Sequence, residues 1–120
     1  MNETIVILIA LFTKHFIIDF PLQTRFQYSN KGTYLHPGGL LHAGLHAVGT
    51  WLALGWYAPE AALWLAWVDG IIHYHIDWAK MNLNSKLGWG PTTDEQFWWL
   101  LGFDQYLHAL TYIWIADLIT

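Results

Sequence analysis

A chain of 120 residues has room for one hydrophobic core and no second domain. Hydrophobic residues make up 55% of it and charged residues only 12%, about half the charged share of an average soluble domain, which predicts a surface that faces lipid. The absence of cysteine excludes disulfides and thiolate metal sites, and a net charge of −4 with no basic run excludes a nucleic-acid partner.

The first predicted helix covers 3–20. It lacks the basic n-region and cleavage site of a signal peptide and reads as a membrane span. It carries His15 and Asp19, one turn apart and on one face. Residues 21–38, "PLQTRFQYSNKGTYLHPG", form a polar loop with Arg25, Lys31 and an exposed His36. The second helix, 39–57, repeats the i, i+4 pattern with His42 and His46. The short "APE" turn makes the third helix, 61–79, its antiparallel neighbour. That helix holds Asp69, His73 and Asp77, with His75 on the opposite side as an interface residue. A second polar loop, 80–96, ends in a helix start with Thr92 or Thr93 as N-cap. The last helix, 95–119, contributes Asp104 and His108.

The expected fold is therefore all-α, an integral membrane four-helix up-down-up-down bundle in a single transmembrane domain over 1–120. Each apolar stretch has roughly the 20 residues that a hydrocarbon core requires. Arg25, Lys31, Lys80 and Lys86 all fall in or beside the two long loops. The positive-inside rule then puts those loops in the cytoplasm and both termini outside a bacterial inner membrane.

In such a bundle the four polar pairs share one level. Eight ligands lie there: His15, Asp19, His42, His46, His73, Asp77, Asp104 and His108. One tetrahedral ion needs fewer, so the layer predicts two divalent ions. Nitrogen and oxygen donors without sulfur suit Zn, Mn or Fe. Gln23, Gln105 and Asp69 are the expected outer hydrogen-bond partners, with Asp69 either orienting His73 or making an outer hydrogen bond within the bundle. Lys14, beside His15 but off its face, has no role in this reading beyond a helix–helix contact.

At "HFIIDFPLQT", "LLHAGLHA", "HYHIDWAK" and "FDQYLHAL" the chain resembles the family of bacterial and phage membrane proteins known as domain of unknown function 3307. The resemblance implies a four-helix membrane protein with the pairs, Gln23 and Gln105 at motif positions. More distantly, the chain is similar to membrane-bound metal-dependent hydrolases.

The leading functional expectation is a metal-dependent hydrolase acting on a phospholipid or other phosphate ester. Asp19 or Asp104 would be the general base, and Arg25 or Lys80 would hold the anionic end. The only serines, Ser29 and Ser85, lie in loops, so covalent serine catalysis is not expected. The alternatives are a non-catalytic protein with a structural metal or hydrogen-bond layer serving phage–host interaction, and transport of a divalent metal or protons. Expected partners are membrane lipid, a small-molecule or lipid substrate, and a second copy of the chain.

Overall fold

The computed structural model describes residues 1–120, which form five helices and no strand. They are α1 (Glu3–Asp19), α2 (Arg25–Tyr28), α3 (Pro37–Gly55), α4 (Pro59–Leu87) and α5 (Glu95–Ile119). Asn2 caps α1 by accepting from the Ile5 amide, and Pro21 follows directly after the helix end, where a proline disfavours helical backbone before it. Proline opens both α3 and α4, and His36 Nδ1 accepts from the Gly38 amide, so the expected loop histidine serves as a cap.

α4 runs eight residues beyond its expected end at 79. It stops at Gly88, whose φ of 70° ends the helix in the left-handed conformation. At the start of α5 the capping residue is Asp94 rather than Thr92 or Thr93. Its side chain turns back to accept from Gly90 N and Thr93 Oγ1 instead of capping α5.

The four long helices form a ring in which α1 touches α3 and α5, and α4 touches α3 and α5. Neighbours are antiparallel. Tyr57, after α3, donates to Glu3 at the start of α1, and Thr4 donates to Thr120 beyond α5. Short α2 packs on the start of α3, where a Cβ at Gly38 would lie 2.2 Å from the Phe26 carbonyl oxygen, so only glycine fits there.

No helix is long and apolar enough to cross a membrane. This overturns the expected transmembrane bundle, the inner-membrane location and the assignment of loops and termini to its two sides. The reason is local. α1 has 17 residues, short of the roughly 20 a span needs. α3, α4 and α5 are longer but are interrupted by the imidazoles, carboxylates and amides that they turn inward.

That inward polarity shapes the interior. Thirteen buried residues are polar or charged and twelve are hydrophobic, while large side chains such as Leu52, Trp67 and Trp99 are exposed. An apolar cluster of Ile7, Leu11, Leu54, Leu65, Tyr112 and Ile115 closes the end of the bundle that holds both termini. The polar layer fills the other end, under the 20–36 and 88–94 connections.

Candidate metal centre

Asp19, at the end of α1, is the hub of one cluster. Its Oδ1 lies 2.7 Å from His46 Nε2, 3.0 Å from His42 Nε2 and 3.6 Å from His73 Nε2. Its Oδ2 faces His15 Nε2 at 3.0 Å. Asp77 anchors the second cluster, 3.1 Å from His73 Nε2 and 3.2 Å from His108 Nε2. The His73 ring is sandwiched between its neighbours, with centroids 3.6 Å from His46 and 3.9 Å from His108.

Two groups have donor atoms that all lie within 4.8 Å of one another: Asp19, His42, His46 and His73, and His73, Asp77 and His108. These buried groups could hold a metal ion. The remaining two of the eight expected ligands flank them. His15 receives a hydrogen bond from Tyr112 Oη (2.7 Å) and donates to Gln105 Oε1 (2.8 Å). Asp104 Oδ1 lies 3.2 Å from His108 Nε2, and its Oδ2 accepts from Gln105 Nε2 at 3.0 Å and faces Lys80 Nζ at 3.4 Å.

The outer partners fix which atoms point inward. Gln27 Nε2 donates to the Leu22 carbonyl, so its Oε1 must accept from His42 Nδ1 at 3.0 Å. In its neutral form His42 then turns the lone pair of Nε2 toward the carboxylates of Asp19 and Asp77, a contact that a proton or another cation between them makes favourable. Five of the seven buried side-chain atoms without a hydrogen-bond partner belong to this layer: His42 Nε2, both nitrogens of His73, Asp77 Oδ2 and Asp104 Oδ1. All but His73 Nδ1 lie near opposite charges without being aimed as donor and acceptor.

Electrostatics follow the same geometry. Burial disfavours the carboxylates of Asp19 and Asp77, yet the surrounding imidazoles outweigh it and hold both well below the usual range. Burial also opposes charge on His108, but Asp104 and Asp77 push it up to about 9. His42 is raised in the same way by Asp19 and Asp77. His46 goes the other way, because burial and the charges of His73 and Lys14 keep it well below the ordinary imidazole value.

Asp69 does not orient His73, whose Nδ1 has no partner. It accepts instead from Lys14 Nζ (2.8 Å) and Thr50 Oγ1 (2.5 Å), and Lys14 in turn donates to His46 Nδ1 at 3.0 Å. Gln23 donates to the Asp19 carbonyl and leaves its Oε1 unpartnered. Arg25 is exposed on α2 and makes no ion pair or side-chain hydrogen bond with the layer. Buried Lys31 stands nearer, its Nζ 3.3 Å from Asp77 Oδ2. A cavity of about 260 Å³ at this end is lined by Gln23, Tyr28, Lys31, Lys80, Asn84 and Phe97.

Lys14, Gln27, Lys31, Thr50 and Tyr112 are the contributors that sequence reasoning missed. Tyr112 was legible, since it extends the series Asp104, His108 by one more turn. Lys14 falls on the buried stripe Ile7, Leu11, Lys14, Ile18 of α1. Gln27 and Lys31 are brought in by a connection whose path no helical periodicity encodes.

No curated protein and no solved structure matches the chain. A family model does, across nearly all of it: residues 7–120, including every side chain of the polar layer, match the protein family of unknown function DUF3307, and the chain belongs to that family.

Proposed function

We propose that this protein is a metal-dependent hydrolase of phosphate esters, with two divalent ions in the His/Asp layer. The observation that carries the reading is the set of inward-facing, unpartnered atoms on His42, His73, Asp77 and Asp104. Buried polar atoms normally find partners, and a cluster of lone pairs around carboxylates is what a cation satisfies. Asp19, His42 and His46 would hold one ion and Asp77 and His108 would approach the second, with His73 Nε2, which faces both carboxylates, serving one of the two. Oxygen and nitrogen donors without sulfur favour Zn, Mn or Fe.

Such ions supply Lewis acidity toward a phosphoryl oxygen and toward water. The protein's own groups would do the rest. Lys31 and Lys80 hold the phosphate oxygens at the cavity. Asp104 suits the general base better than Asp19, because one imidazole, His108, approaches its carboxylate whereas four surround that of Asp19. The oxygen of water bonds to phosphorus, the ester P–O bond breaks, and the proton taken by Asp104 passes to the departing alkoxide.

A second reading, a structural metal or hydrogen-bond layer without catalysis, is favoured by the depth of His46 and His73, both 0% exposed. Elemental analysis of purified protein beside His42→Ala/His46→Ala, with release of p-nitrophenol from its phosphate ester, separates the two. Near two equivalents of metal and turnover, both lost in the variant, are expected. Bound metal without turnover on any phosphate ester supports the structural reading. A folded protein without metal in either form overturns the proposal.

A further inference from the structure

A second, larger cavity adjoins the one under Lys31. It is an apolar groove of about 560 Å³ between α4 and α5, walled by Ile72, Ile76, Ala79, Leu83, Phe103 and Leu107. Lys80 and Leu100 line both cavities, so the groove opens beside the ammonium group. Asp104, next to His108 in the polar layer, lies at the same junction. From Lys80 to Ile72 the groove follows α4 for eight residues, about 12 Å.

Charge says what belongs at the polar end. The layer sets four carboxylates, Asp19, Asp69, Asp77 and Asp104, against three ammonium groups, Lys14, Lys31 and Lys80. With neutral imidazoles this leaves one negative charge. Two divalent cations would turn it into three positive charges in a largely dry site, a state that demands an anion. They would also draw Asp77 and Asp104 toward themselves, releasing Lys31 and Lys80 to a ligand. A dianionic phosphate monoester meets that demand better than a singly charged diester.

We infer that the substrate is the phosphate monoester of a long-chain alcohol, its phosphate between Lys31 and Lys80 and its chain in the α4–α5 groove. This rests on the metal-dependent reading for its anion and on the adjoining groove for its chain.

Titration calorimetry of the metal-loaded protein tests it, using methyl phosphate, octyl phosphate and octanol. Each fully buried methylene is worth about fourfold, so with about half of the added chain buried in the open groove octyl phosphate is expected to bind about 100-fold or more tightly than methyl phosphate. Octanol should bind far more weakly than octyl phosphate. Ala79→Trp, which fills the groove, should abolish the chain-length gain while changing methyl phosphate affinity less than threefold. Leu83→Gln, a milder change to the groove wall, should reduce it.

Equal affinity for the two phosphates, or a chain-length gain untouched by both variants, overturns the groove assignment. Octanol binding as tightly as octyl phosphate overturns the placement of the head. Phosphate release is measured on the same samples. Chain-dependent binding without release refutes the hydrolase reading and leaves the groove assignment standing. Hydrolysis of methyl phosphate at the rate and KM of octyl phosphate does the reverse.

Discussion

Lys14 shows how a single side chain governs a site without facing it. Its ammonium group is 8% exposed, paired with Asp69 at 2.8 Å and bonded to His46 Nδ1 at 3.0 Å. Burial lowers its pKa despite Asp69, so this pair is held by mutual need rather than by net attraction. With Nδ1 accepting from Lys14, the proton of neutral His46 sits on Nε2 and is donated to Asp19 Oδ1 at 2.7 Å. A metal at His46 would have to replace that proton, and at His42 the proton that Asp19 and Asp77 favour on Nε2. Lys14→Met strands Asp69 with Thr50 as its remaining partner, and should cost roughly 3–5 kcal/mol in denaturant unfolding. Lys14→Met/Asp69→Leu removes both charges and should be less destabilised than the single variant, a coupling that a double-mutant cycle reads directly. A cost below about 1 kcal/mol for Lys14→Met would show that the pair does not hold this part of the interior.

At the scale of elements, what the sequence reveals depends on whether helical periodicity carries the information. The i, i+4 pairs on α1, α3, α4 and α5 are legible because spacing alone puts each pair on one face, and the short turn before Pro59 sets two helices antiparallel. The membrane reading failed on the same residues. Stretches counted as spans by length and apolar content hold inward imidazoles and carboxylates, and α1 is too short in any case. The end of α4 was misplaced because the stretch was closed at Ala79, where apolar content falls, although "KMNLNSKL" continues as helix until a glycine stops it. Gly88 has open space around its Cβ position and a φ of 70°, so Gly88→Ala pays only for backbone conformation. The expected loss is about 1 kcal/mol. Amide exchange should speed up in the last turn of α4, near Asn84 and its cavity, and stay unchanged around His73. Loss of protection throughout the bundle would mean that the cap holds more than its own turn.

The whole molecule keeps its polar groups inside and many apolar ones outside, so its stability depends on what neutralises the interior. On the metal-dependent reading, two agents would compete for the same atoms, protons and metal ions, and they would respond oppositely to pH. Without metal, the folded protein holds the His108 proton with a pKa of about 9 against 6.5 for an ordinary imidazole. A raised pKa contributes stability that is complete below pH 6.5 and lost as pH climbs through 9; its ceiling is on the order of 3 kcal/mol. His42, also raised, adds to the same trend, while His46, held neutral by burial, affects only the region below pH 6.5. A metal ion requires His108 and His42 to be free of protons, so its apparent affinity rises over that window. An ion at 1,000 times its dissociation constant adds about 4 kcal/mol. Melting temperature measured from pH 6.5 to 9 should therefore fall with pH in chelator and rise with pH in excess zinc or manganese. His108→Gln should flatten the falling curve. Curves that run parallel with and without metal would mean that no ion displaces these protons, and the layer would then be a proton-sharing network alone.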